Sequence, residues 1–121
     1  MTVDEIAAEM RRLSESIDRA LNSLAELART LAQAEHDYRK GAAAAWVQVR
    51  VLDGMTAADK EAEVKARTAE LRMARDIADG MRQTSIHAIR ARQQQLSCSQ
   101  SLLNVQKSEL DMGRFGQSSG P

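Results

Sequence analysis

The sequence predicts an all-α protein: a long antiparallel two-helix coiled-coil hairpin that assembles into a dimeric or tetrameric helical bundle. Three observations predict it. Backbone breakers are confined, because the single Pro is the last residue and no Gly precedes Gly41. An apolar seam repeats every seven residues over about six heptads, the signature of a coiled coil and not of a globular surface helix. Of the residues in the 43% apolar fraction 20 are Ala, and there are only three aromatic residues, Tyr38, Trp46 and Phe115, so a thick globular core is not expected.

The first helix, expected over 3–52, opens with Thr2 and Glu5, a spacing at which a hydroxyl and a carboxylate satisfy otherwise orphaned amides of the first turn. One column of its seam is Ile6, Leu13, Ala20, Leu27, Ala34 and Gly41; the other is Met10, Ile17, Leu24, Leu31, Tyr38 and Ala45. The knobs shrink toward Gly41 and Ala45, which lets a neighbouring backbone come close there. A turn follows over 53–56, where Gly54 offers the left-handed conformation that closes helices. Thr56 and Asp59 then repeat the capping logic.

So short a connection between two helices of about 50 residues folds them back antiparallel, over about 75 Å at 1.5 Å per residue. The second helix, expected over 57–110, starts its seam with Val64, Leu71 and Ala78, loses register near Asp79 and Gly80, and resumes it with Ile89, Leu96, Leu103 and Leu110. Such a phase shift reads as a coiled-coil discontinuity with Gly80 as its soft point. The remaining residues, 111–121, are expected to be a disordered tail in which Phe115 is the one anchor-like side chain.

A second apolar stripe on the second helix, Ala91, Cys98, Leu102 and Val105, stands apart from the Leu96 column, with Arg90, Gln94, Ser97, Ser101, Asn104 and Ser108 between the two. A two-helix hairpin has only one arm to offer each helix. The second stripe therefore needs another partner, and another copy of the chain is the simplest, making these four residues the expected oligomer interface. Self-association also eases the energetics, since paired Ala-rich helices bury little area against about 1 to 2 kcal/mol of backbone entropy per ordered residue.

Charge is balanced over the chain, 17 basic against 17 acidic residues, yet residues 81–107 hold four cations and no acid. Arg82, Arg90, Arg92 and Lys107 admit two readings. Antiparallel folding brings them beside Glu5, Glu9, Glu15 and Asp18, which would neutralise them. Alternatively, with Gln94, Ser97, Ser101 and Asn104, they form a face that tracks phosphates of nucleic acid. Against the latter stand the small number of charges and the lack of interleaved aromatic residues to stack bases.

Other chemistry finds no foothold. His36 lies between Glu35 and Asp37, whose side chains point in different directions on a helix, and His87 has no Glu at helical spacing, so no metal site is expected. Cys98 has no His partner and reads as a packed thiol. No phosphate-cradling glycine loop or nucleophile elbow occurs, so neither an enzyme nor a cofactor is expected. The most apolar run, 41–51, contains Gln48 and Arg50 and is far shorter than a bilayer span. With one Cys, a cytoplasmic location is expected.

The capped hairpin, the Ala-rich stretch from Tyr38 to Trp46, the Gly54, Met55, Thr56 turn and the closing Arg92, Leu96, Ser97, Gln100, Ser101, Leu102, Leu103, Lys107, Ser108, Glu109 run resemble the small helical proteins of tailed phages of actinobacteria. The resemblance spans most of the chain. It implies a non-enzymatic adaptor in the host cytoplasm, accessory to phage DNA replication or recombination, whose partners are itself and a DNA-metabolism protein or nucleic acid. It brings no catalytic residues. The competing class is a structural coiled coil, a virion or scaffold component that never touches DNA.

Overall fold

The structure, a computed structural model, describes the backbone of residues 1–118 and the side chains of residues 1–113. Every regular element among them is helical: α1 (Val3–Arg50), α2 (Ala57–Arg67) and α3 (Ala69–Ser118).

Both expected caps form. The Thr2 amide donates to Glu5 Oε2 at 3.2 Å and the Glu5 amide to Thr2 Oγ1 at 3.1 Å. At the start of α2 the Thr56 amide donates to Asp59 Oδ2 at 3.3 Å, and the Asp59 amide to Thr56 Oγ1 at 3.1 Å. Between α1 and α2, Gly54 adopts φ +77, the left-handed region in which a β-carbon is strained. Lys60 Nζ donates to the Arg50 carbonyl at 3.0 Å, placing a cation on one of the carbonyls orphaned at the end of α1.

The single second helix expected over 57–110 is divided at Thr68 rather than softened at Gly80. Thr68 is buried, with φ −107 and ψ 7, and its hydroxyl donates to the Val64 carbonyl at 2.8 Å. A hydroxyl bonded to the carbonyl four residues back competes with the helical ladder and bends it. The ladder is distorted without being cut: the Thr68 amide still donates to Val64 O at 3.1 Å, and Arg72 donates to Thr68 O at 2.9 Å. Gly80 is exposed, within α3, and a β-carbon there would meet nothing.

The expected loss of register is also absent. In α2 and α3 the residues Val64, Thr68, Leu71, Arg75, Ala78, Arg82, Ser85, Ile89, Arg92, Leu96, Ser99, Leu103 and Gln106 are all buried or half-buried, at alternating spacings of four and three. One heptad therefore runs through, and what changes along it is which column is apolar. Val64, Leu71 and Ala78 fill one column first; Ile89, Leu96 and Leu103 fill the other later; Arg75, Arg82, Arg92 and Ser99 take the complementary places.

Two compact units make up the chain. The first is Ser23–Ser85. Its buried cluster is Ala45, Val49 and Val64, of which Val49 is wholly inaccessible. Gln48 accepts from Arg67 Nη1 at 3.2 Å, and the Arg75 guanidinium lies 4.5 Å from the Tyr38 ring centroid, a cation–π contact. The close approach expected at Gly41 is made by a side chain rather than by backbone: a β-carbon on Gly41 would collide with Leu71 Cδ1. Partner numbers rise as α1 numbers fall, from Val49 with Val64, through Gly41 with Leu71, to Tyr38 with Arg75.

The second unit is Met1–Asn22 with Ile86–Pro121. Ile6, Ile17, Ile89 and Leu103 are its buried apolar residues, and Gln106 Nε2 donates to the Met1 carbonyl at 2.7 Å. Leu103 borders a groove together with Ala7, Met10 and Ser14. Leu110, expected in the seam, is 56% exposed and lines an open groove with Thr2, Val3 and Gln106. The expected tail differs too. α3 continues through 111–118, since each added residue gains a ladder hydrogen bond and no Pro interrupts it. The side chain of Phe115 and residues 119–121 lie outside the described residues.

Candidate interaction surface

The expected seam residues of α1 differ in exposure. Ile6, Ile17 and Ala45 are buried; Met10, Leu13, Leu24, Leu27, Leu31 and Tyr38 are half-buried. Near the end of α1 the buried position moves from the expected column to Val49, leaving Gln48 exposed and free to meet Arg67. Of the α3 seam residues, Ile89 and Leu103 are buried and Leu96 is half-buried.

The four residues of the second stripe stand together on another side of α3. Ala91 and Cys98 are exposed, Leu102 is 42% exposed and Val105 54%. At spacings of seven, four and three they lie on one line, roughly 100° around the helix from the seam. The polar residues Arg90, Gln94, Ser97, Ser101, Asn104 and Ser108 are exposed on a third side. Cys98 is a free thiol, and among the described residues no group of three or more His, Cys, Asp or Glu could hold a metal ion. No helix among them is long and apolar enough to cross a membrane.

The four candidate cations are not gathered onto one face. Arg82 and Arg92 occupy seam positions and are half-buried; Arg90 lies on the polar side and Lys107 is exposed beside the seam. Nor are they neutralised by the acids of α1. Every ion pair among the described residues is local in sequence, as in Arg12–Glu9, Arg29–Glu26 and Arg67–Glu63, and Glu5 is engaged in the Thr2 cap.

Three features of this surface escape sequence reasoning. Thr68 carries no signal beyond its type. The exposed apolar residues Trp46, Val47 and Val51 near the end of α1 follow no heptad. On α3 the stripe's two heptad positions also hold Ile77 and Met81, 52% and 54% exposed, which a search for the same spacing upstream of Ala91 could have found.

Comparison with protein families, with curated proteins and with solved structures finds no match for the chain.

Proposed function

We propose that the chain is a long antiparallel two-helix coiled-coil hairpin that self-associates into a dimeric or tetrameric bundle and serves, without enzymatic activity, as a helical adaptor. The observation that carries this reading is the exposed line Ala91, Cys98, Leu102 and Val105, a stripe of coiled-coil period for which the chain's own helices supply no cover. Fully burying a Leu or Val side chain is worth about 1.5 to 3 kcal/mol, and covering the 42% of Leu102 and 54% of Val105 left exposed recovers about half of that from each in every copy. A place in phage DNA replication or recombination, in the host cytoplasm, follows from the resemblance to small helical proteins of actinobacterial phages.

Protein contact is favoured over direct contact with nucleic acid. Two of the four cations, Arg82 and Arg92, are half-buried at seam positions, so no continuous phosphate-tracking line exists for them to join. Retention of the purified chain on DNA at low salt tests this. The adaptor reading expects no retention that falls steeply with salt. Tight, salt-sensitive retention lost on replacing Arg90 and Lys107 by Gln would establish the phosphate-binding alternative. A virion or scaffold role is separated by fractionation: a scaffold component sediments with assembled particles, and an adaptor stays with soluble complexes.

A further inference from the structure

The stripe on α3 is graded along its length. From Ala88 through Ala91, Gln95, Cys98 and Leu102 to Val105, at spacings of three and four, small residues lie toward its beginning and branched ones toward its end. Ala88 is half-buried and the others are exposed. The flanks are nearly uncharged: Gln94, Ser101 and Ser108 on one side, Ser99 and Gln106 on the other, with the half-buried Arg92 as the one charged neighbour. Continuing the line, the next position is Glu109.

These flanks identify the occupant by charge. A stripe meant for an acidic or basic partner surface would carry matching charges along its rim. Amides and hydroxyls on both rims are instead compatible with themselves, so a second copy of the same stripe meets no like-charge opposition. The acid-free stretch 81–107 has this consequence: Arg90 and Lys107 lie away from the stripe, and Arg92 is the one cation at its rim.

Resting on the self-association proposed above, we infer that two copies pair through α3 in antiparallel sense. Leu102 packs against Ala91 of the partner subunit, Val105 against Ala88 of the partner subunit, and Cys98 against Gln95 of the partner subunit. Two-fold symmetry makes each contact twice. Every branched side chain then meets a small one, which fills the interface at close helix separation without overlap. The parallel, in-register arrangement stacks Leu102 on its own copy and Ala91 on its own copy, crowding one layer and leaving a gap in the other. It also sets Glu109 against Glu109 of the partner subunit, a like-charge pair at the rim.

Cross-linking tests the pairing. Two chains are prepared in a Cys98→Ser background, one with Ala91→Cys and one with Leu102→Cys, and are mixed under mild oxidation after circular dichroism has shown that each keeps its helicity. Antiparallel pairing yields the mixed disulfide in large excess over either homodimer. Homodimers of both variants without the mixed species would overturn the inference while leaving self-association standing. An oligomer that yields no cross-link in any combination would also overturn it. A chain whose sedimentation is monomeric at high micromolar concentration would defeat both the inference and the reading beneath it, assigning the stripe to a different protein. A second measurement avoids substitution on the stripe itself: spin labels on Ser108→Cys in the Cys98→Ser chain stand beyond about 30 Å if antiparallel and within about 20 Å if parallel, from the rise and packing distance of helices. The shorter distance would contradict the antiparallel register.

Discussion

The unit Ser23–Ser85 and the unit formed by Met1–Asn22 with Ile86–Pro121 are built from the same kind of helix and are held in different ways. In the first, the contacts are chemically specific: an inaccessible Val49 between Ala45 and Val64, a cation–π pair of Arg75 on Tyr38, the Arg67–Gln48 hydrogen bond, and a Lys60 cap on the Arg50 carbonyl. The second relies on a sparse row of Ile6, Ile17, Ile89 and Leu103 with one bond from Gln106 to Met1, while an apolar line on α3 stays uncovered. The difference teaches that one seam can serve two purposes. Its contacts can close the helices on each other in one stretch and hold them sparsely in another, while in both units apolar side chains outside the seam stay exposed, Ile77 and Met81 in the first and Leu102 and Val105 in the second.

Breaking that comparison has its largest effect at Val49. Val49→Ala removes two methyl groups from a site with no solvent access and is expected to cost about 2 to 3 kcal/mol in urea unfolding. The matched change in the other unit, Val105→Ala, is expected to shift stability by less than about 0.5 kcal/mol under dilution that leaves the chain monomeric. A larger cost at Val105 than at Val49 in dilute solution would reverse the assignment of the two regions.

Gly41 sharpens the account of the first unit. Gly41→Ala gains about 1 kcal/mol of helix propensity and drives its methyl into Leu71 Cδ1, the end of a flexible, half-buried side chain that can turn aside at part of the roughly 1 to 3 kcal/mol such an overlap costs, so a net change within about 1 kcal/mol is expected. With Leu71→Ala already in place, the same change is expected to become stabilising. The double-mutant cycle measures the contact directly. A gain from Gly41→Ala in the natural chain would show that Leu71 yields freely.

Caps give the smallest effects. Thr56→Ala removes the hydroxyl that accepts from the Asp59 amide and is expected to cost about 1 kcal/mol. Thr2→Ala is expected to cost less, because it acts on a chain end that frays without global unfolding. Equal losses at the two caps, by urea denaturation, would mean that the end of α1 is as cooperative as the turn.

How much of this was legible in the sequence follows from how each feature is encoded. The two caps and the left-handed Gly54 were legible because local chemistry decides them: a hydroxyl and a carboxylate three residues apart, and a residue without a β-carbon. The α1 seam was legible because its columns are apolar nearly throughout. The seam of α2 and α3 was misread at Gly80 because Arg75, Arg82, Ser85, Arg92 and Ser99 occupy seam positions, and a reading that follows apolar residues jumps columns where the seam itself does not. Long Arg side chains can lie along a seam with the stem covered and the head in water, so their half-burial is invisible to hydropathy. The last helix runs on through Ser118 although the polar, Gly-containing composition after Leu110 suggests disorder, because Gly lowers helix propensity without blocking the ladder. The line Ala91, Cys98, Leu102 and Val105 was legible as a stripe, since spacing alone defines it; that Arg92 is the one cation at its rim became apparent only with the seam register.

Sedimentation equilibrium of the natural chain and of Leu102→Asp, across a range of concentration and with helicity followed in parallel, tests the central claim most directly. The account predicts an integral multiple of the chain mass for the natural protein and a fall toward a single helical chain when Leu102 becomes Asp. A well-ordered lone chain in the natural protein, or an oligomer that Leu102→Asp leaves intact, would contradict it.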